Sequence, residues 1–391
     1  MKHTKYKVTV LTLYLGLFVM HGINLAILGQ YKEQLAQLWN CNIADVLSLI
    51  SILNLGSLVF TIFNGPITDK VGRKIPLIFG DICMAVYYFA LTLMPSISAA
   101  KMMAFIFYGL GDTFSYVAGS AVIIEAFPDK SSSANVMTKF LISLGQFILP
   151  IFILLVSLTH SNFRVLFIAG GIVYLVVSVI LSFSKFPPMV KKQKTKSKAK
   201  IHFNLGGLAL ILIGYTSCAT FNLWTNTYQE FAKSCGITQP SILISIYAVG
   251  GALSVLLTSF LVGKGVKESL ILTVYPFLAA LSLLFEIVIP QAWIMYIVAF
   301  LFGVFAAGGL YQLCTALLTK IMPNYKATAI SIAQFMSFIG NASIMYFASL
   351  IEQNNPGIAG YRGTVFLNIL VAFIGGVLGL ITMYEERKLA K

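Results

Sequence analysis

The sequence predicts an all-α membrane protein with twelve transmembrane helices arranged as two six-helix bundles. Three observations carry this reading. Of the 391 residues, 58% are hydrophobic and only 10% are charged. Soluble domains carry about 25% charge, so the bilayer has to serve as solvent for much of this surface. A hydrocarbon core about 30 Å thick needs roughly 20 apolar residues per helix, and runs of that length recur twelve times. The second half also repeats landmarks of the first at an offset of about 195: Phe127-Pro128 meets Met322-Pro323, Ser133-Ala134 meets Thr328-Ala329, and Tyr116 meets Tyr311.

The first run, 8–29, follows a short basic segment and carries no small-residue cleavage site, so it reads as a retained helix rather than a signal peptide. Runs two and three, 45–66 and 76–95, flank a short basic loop. Run four, 101–124, ends at Glu125 and Pro128. Runs five and six, 136–157 and 164–184, complete a first bundle over residues 1–185. Pro187-Pro188 then opens the longest non-apolar stretch, 186–202, where Lys191 to Lys200 hold six lysines. This is expected to be a cytoplasmic linker. Its charge suits an anionic membrane surface, although a solvated basic loop is sufficient and is the favoured reading. Runs seven to twelve, at 204–226, 240–262, 269–289, 292–317, 327–349 and 363–384, form a second bundle over 203–391.

Basic residues set the orientation. The odd-side segments hold 22 of the 27 lysines and arginines, and the other side holds Lys32, Lys101, Arg164, Lys233 and Arg362. Cytoplasmic loops are the ones enriched in Lys and Arg, so both termini are expected in the cytoplasm of a multi-pass inner-membrane protein. The net charge of +14 is therefore explained by topology. No basic face with interleaved aromatics appears, which excludes nucleic acid as a partner. The five cysteines form no CxxC pair and the four histidines are scattered, so no metal site is expected. Cys41 and Cys235 both fall in outer loops, and two free thiols are favoured over a disulfide. No catalytic constellation and no phosphate-cradling glycine loop is present, so neither an enzyme nor direct ATP drive is expected, and no cofactor.

Between runs two and three the chain reads Gly65-Pro-Ile-Thr-Asp69-Lys70-Val-Gly72-Arg73-Lys74. Gly65 permits close helix packing and Gly72 a tight turn. Asp69 can cap the start of the next helix or pair with a basic side chain. This segment resembles the loop signature of the major facilitator transporters, G-x-x-x-D-[RK]-x-G-R-[RK]. The resemblance implies the major facilitator fold, with a substrate site between two bundles near the midplane. It also implies a gating role for Gly65, Asp69, Lys70, Gly72, Arg73 and Lys74. Glu125 is expected to serve the same gate by pairing with Arg73 or Lys74.

Further segments narrow the resemblance: His21-Gly22-Ile23 and Gln30; Glu125-Ala-Phe127-Pro128; Ser143-Leu-Gly145-Gln146 with Pro150; and Gly303 to Leu313 with Pro323. Together they are similar to a subgroup of bacterial inner-membrane facilitators. Some of its members are encoded beside shikimate and quinate metabolism genes, which implies small aromatic or hydroaromatic acids as substrates. The chain departs from that subgroup in span four. It has Asp112 where the subgroup has asparagine, Tyr116 where it has aspartate, and Ser120-Ala121 where it has Tyr-Pro. The acid has moved one turn along the helix. The arginine of the drug/proton antiporter pattern is also missing, with Phe105 and Phe107 in its place.

An ionisable group within a membrane is a functional candidate by default. Asp112, near the middle of span four, is the expected proton-coupling acid, with a hydrogen-bonded structural acid as the alternative. Tyr108, Ser115 and Tyr116 share its face at three- and four-residue spacing. His21, with Asn24 one turn on, is the second proton or substrate candidate. Asp81 reads as a packing acid. Glu286 is ranked last, on a span expected to face lipid or a peripheral helix. Tyr215, Cys218, Asn222 and Asn226 form one polar stripe on span seven. With Gln146, Tyr311, Gln312, Gln334 and Asn341 they are expected to line a cavity, although polar helix–helix contacts explain any one of them. No Lys or Arg lies mid-membrane, so a neutral, zwitterionic or weakly acidic substrate fits best. The expected function is secondary active transport of a small organic solute by a monomer using alternating access, coupled to protons through Asp112 or His21. A multidrug or metabolite exporter and a non-transporting membrane sensor are the alternatives.

Overall fold

The computed structural model describes residues 3–41, 43–188 and 204–389. The lysine run expected to fill the linker lies outside them. Among the described residues there is no strand, and the chain makes twelve long helical passes. These are α1 (Lys7–Gln30), α2 (Ile43–Val71), α3 (Lys74–Leu93), α4 (97–126), α5 (Ser131–Leu158) and α6 (Arg164–Phe183). They continue as α7 (Leu205–Ser234), α8 (Ser241–Gly263), α9 (Glu268–Val288), α10 (Ala292–Ile321), α11 (Lys326–Asn354) and α12 (Ile358–Leu389).

Eleven of the passes are long and apolar enough to cross a membrane by composition alone. The exception is α4, which contains a π-helical stretch at Ala104–Tyr108. Of the 18 residues in its inner section, Gly109–Ala126, 16 are buried. A helix enclosed by other helices does not need an apolar surface to sit in a membrane. This is why Asp112, Thr113, Ser115 and Ser120 are tolerated there. Helix α10 is divided too. It runs Ala292–Ala306, breaks at 307–309, and resumes at Leu310–Ile321. Gly309 takes φ +84° at the break, a backbone region that suits glycine.

The chain divides into two compact units. Unit one comprises Met1–Ser131, Thr138–Lys192 and Pro323–Ile332. Unit two comprises Ser132–Met137, Gln193–Met322 and Ala333–Lys391. Two short segments therefore leave their sequence halves: 323–332, at the start of α11, counts with unit one, and 132–137, at the start of α5, counts with unit two. At an offset of 195 these two segments are repeats of each other.

Small residues set the helix contacts within unit one. A Cβ on Gly22 of α1 would lie 1.9 Å from the Ile142 carbonyl of α5, and one on Gly145 of α5 would lie 2.0 Å from the Val19 carbonyl of α1. The backbones of α1 and α5 thus touch directly. Gly56 of α2 and Gly109 of α4 make the same kind of contact. In lipid, helix association depends on such close packing, because there is little hydrophobic drive between helices. In unit two, Gly250 packs on Phe300, Gly303 on Tyr247, and Gly379 on Leu272. Trp224, Tyr228, Phe231, Phe302 and Leu283 belong to its largest buried apolar cluster. None of the five cysteines is in a disulfide.

Candidate functional site

The direct backbone contact of α2 with α4 at Gly56 and Gly109 carries Ser57 to Asp112, one turn further along α4. Ser57 Oγ donates to Asp112 Oδ2 at 3.1 Å. From α1, His21 Nδ1 approaches Asp112 Oδ1 to 3.2 Å. The contact is not an aligned hydrogen bond, since Oδ1 has no partner with hydrogen-bond geometry. The two side chains are 16% and 5% exposed. The His21 ring lies 5.2 Å from the Tyr116 ring, and Tyr116 meets Phe18 edge-on at 6.1 Å. Asn24, one turn along α1, is buried beside Tyr108. Four sequence-predicted residues, His21, Asn24, Asp112 and Tyr116, therefore form one cluster. An imidazole facing a buried carboxylate can share one proton with it, which is the chemistry that proton coupling needs.

Gln146 is exposed on α5, where its backbone nitrogen lies against Gly22. In unit two, Asn226 Nδ2 donates to the Asn222 carbonyl at 2.7 Å and to its Oδ1 at 3.1 Å, a closed pair on α7. Tyr215, from the same expected stripe, bonds Ser343 of α11 at 2.7 Å instead. Gln312 is buried and its carbonyl accepts from Asn135 at 2.8 Å. Tyr311 and Gln312 both follow the break in α10, the kind of discontinuity that lines binding sites in transporters.

The loop between α2 and α3 forms a second cluster. Arg73 Nη1 donates to Asp69 Oδ1 at 2.7 Å and to the Thr68 carbonyl at 3.0 Å. Its Nη2 lies 2.8 Å from Glu125 Oε1. Burial by itself would pull the Arg73 guanidinium down, but Glu125 and then Asp69 outweigh it and hold it above its ordinary value. Asp69 Oδ2 accepts from Thr328 N at 2.8 Å and from Thr328 Oγ1 at 2.7 Å, while Oδ1 accepts from Ala327 N at 3.1 Å. Asp69 therefore caps the first turn of α11, not the next helix in sequence. Gly65 makes room for this: a Cβ there would lie 2.5 Å from Thr328 Cα. Gly72 turns the chain at φ +105°. Lys74 takes no part in the Glu125 pair; it donates to the Ser182 carbonyl at 2.6 Å. Lys70 is exposed.

Sequence reasoning missed Ser57 and the residues in line with it. Ser57, Thr61, Asn64 and Thr68 all have 0% exposure. Their spacings of four, three and four put them on one face of α2, a signal as legible as the stripe noted on α7. Thr68 Oγ1 donates to Asn64 Oδ1 at 2.8 Å, and Asn64 in turn bonds the Thr113 carbonyl of α4. Asp81 behaves as expected, accepting from Ser115 Oγ at 2.7 Å across α3 and α4. Glu286 does not: it is fully buried in unit two, not facing lipid. The reason is that α9 packs on both α10 and α12, and Glu286 is among the residues it buries.

The family model of the Major Facilitator Superfamily matches residues 13–340 and 217–391. The chain belongs to the major facilitator superfamily. The chain is 28% identical to the inner membrane transport protein YdiM of Escherichia coli, over 98% of this chain and 95% of that protein. It is 27% identical to the MFS-type transporter YfkL of Bacillus subtilis, over 96% of each chain. Among solved facilitator structures, it superposes on the fucose transporter FucP in the outward conformation with TM-score 0.77 at 15% identity, covering 96% of this chain and 99% of that one. The proton:xylose symporter XylE gives TM-score 0.76 at 14% identity, covering 99% and 96%. At these identities the structural likeness establishes the fold.

Proposed function

We propose that this facilitator is a secondary active transporter that moves a small organic solute by alternating access, coupled to protons through Asp112 and His21. The observation that carries the reading is the His21–Asp112 pair at 3.2 Å, buried in the membrane and flanked by Ser57. A proton taken up by the pair changes the charge buried there, so its protonation can bias which state the protein occupies. Two relatives are named as inner membrane transport proteins, and two structural neighbours as proton symporters for fucose and xylose.

The substrate in this reading is neutral, zwitterionic or weakly acidic, with an aromatic or hydroaromatic acid as the first candidate. Asn24, Tyr116 and Gln146 supply contacts from the first half, and Asn222, Asn226, Tyr311 and Gln312 from the second. The gate is the set Gly65, Asp69, Lys70, Gly72, Arg73, Lys74 and Glu125, whose bonds to residues 327 and 328 are of the kind that form and break during a transport cycle. The protein works as a monomer of two bundles, 1–185 and 203–391, joined by the linker 186–202, with both termini in the cytoplasm.

The test is a thermal-shift screen of the purified protein with shikimate, quinate, aromatic amino acids, sugars and cationic drugs at two pH values. A ligand that binds only the folded state raises Tm by mass action. A shift with a hydroaromatic acid that is larger at low pH and lost in Asp112→Asn is expected. A shift confined to lipophilic cations, or an Asp112→Asn variant that keeps its pH dependence, refutes the reading.

A further inference from the structure

Glu286 lies on α9, two residues from its end at Val288, and is 0% exposed. Neither carboxyl oxygen has a partner with hydrogen-bond geometry, and among the described residues no basic side chain is within ion-pairing distance. The polar group facing it is the Trp224 indole of α7, whose N–H is itself without an aligned acceptor. A third unsatisfied group lies at the same level on a neighbouring helix. Asn368 of α12 is 2% exposed, and its Oδ1 has no partner. The antiparallel registers bring it there. Gly375 lies against Thr216 and Gly206 against Glu385, which carries Asn368 to the level of Trp224. Gly379 lies against Leu272, which puts Asn368 within a turn of Glu286. Water is kept out by an aromatic wall: Trp224 stacks on Tyr228 at 4.8 Å and on Tyr247 at 5.2 Å, with Phe302 at 5.4 Å.

The donor and acceptor count decides what this site holds. A carboxylate only accepts hydrogen bonds. It could take the Trp224 N–H, but it would face the Asn368 carbonyl oxygen unpaired and bury a charge at a cost of several kcal/mol. A neutral carboxyl has one O–H to donate to that oxygen, and keeps its carbonyl for the indole. All three orphaned groups are satisfied by one proton. We infer that Glu286 is a second proton-binding site of this chain, whose neutral form is held between Trp224 and Asn368.

Release is a simple ionisation, with the proton passing to water at the nearby end of α9. The groups around the site are the Tyr228 hydroxyl and Cys235 thiol of the α7 end, Tyr247 of α8 and Arg362 of α12; Cys235 senses both Glu286 and Arg362. Glu230, Lys233 and Arg362, the charges nearest this end of the unit, are exposed. The site lies wholly within unit two, so the inference stands apart from the reading of Asp112.

Infrared difference spectroscopy of the full chain in liposomes tests it, comparing mildly acid with mildly alkaline pH. The expected result is loss of a neutral-carboxyl C=O band as pH rises, in both the wild type and Asp112→Asn. The band is missing in Glu286→Gln and moves to higher frequency in Trp224→Phe, which removes the indole donor. If Glu286→Gln does not fold, the Trp224→Phe shift assigns the band. A Glu286 band that persists at every pH would mark a permanently neutral packing acid and overturn the proposal. So would a pH-dependent band that neither substitution touches.

Discussion

Asp112 is approached from two other helices, α2 and α1, and each contact has its own consequence. Ser57 donates a hydrogen bond to the Asp112 carboxyl, and a hydrogen bond contributes about 0.5–1.5 kcal/mol net. Ser57→Ala is expected to destabilise the protein by about that amount, read as a lower Tm. The loss should shrink in an Asp112→Asn background, because the two residues act as a pair. Undiminished loss in that background would show that Ser57 acts through packing alone. His21 approaches from the opposite side without hydrogen-bond alignment. His21→Gln is therefore expected to cost little in Tm but to flatten the pH dependence of transport, measured as uptake into proteoliposomes under an imposed pH gradient.

At the scale of the element, stability rests on backbone contact in some places and on buried charge in others. Helices α1 and α5 touch where Gly22 and Gly145 face carbonyls of the other helix. A side chain at Gly22 meets backbone, which cannot rotate away. Gly22→Val is expected to give protein that is not recovered as a monodisperse species, while the same change at Gly29, where a Cβ meets nothing within 4 Å, is tolerated. Arg73 is the reverse case. It is 4% exposed and pairs with two carboxylates. Removing one member of a buried pair leaves the others uncompensated, at a cost of about 3–5 kcal/mol. Arg73→Ala is expected to lower Tm accordingly, and Arg73→Ala with Glu125→Gln to recover part of the loss.

Across the whole molecule the internal repeat extends to the ionic contacts, with the charges exchanged. At an offset of 195, Arg73 corresponds to Glu268 and Glu125 to Lys320. Lys320 Nζ lies 2.5 Å from Glu268 Oε1, just as Arg73 lies beside Glu125. Ser132 Oγ joins Glu268 at 2.5 Å, in the position where Ala327 joins the first-half cluster. The two pairs are not energetically alike. Lys320 is 48% exposed, and exposed ion pairs contribute about 0–1 kcal/mol. Lys320→Ala is therefore expected to change Tm far less than Arg73→Ala and to do so only at low salt. Equal losses from the two substitutions would mean that the second-half pair is shielded from water.

Twelve passes, their approximate ends and the repeat were readable from composition and spacing, and the loop between α2 and α3 from its resemblance to a family signature. Membrane insertion depends on the local run of apolar residues, and the loop signature is contiguous in the chain. Pairwise chemistry was legible only in part. Asp112 and His21 each stood out as rare ionisable groups in apolar runs, but their meeting depends on how α1 and α4 are placed. Ser57 joined them because two glycines let α2 and α4 touch. Asp69 was expected to cap the helix that follows it or to pair with a basic side chain; it pairs with Arg73, and the helix it caps is α11, some 258 residues on. Glu286 was left between lipid and a peripheral helix for the same reason: a helix carries its acid at a fixed angle, but only packing decides whether that angle faces lipid or protein. Local hydropathy therefore determined where the chain crosses the membrane. Which buried polar groups meet was decided by tertiary packing, because a hydrogen bond depends on a few tenths of an ångström that no linear pattern records.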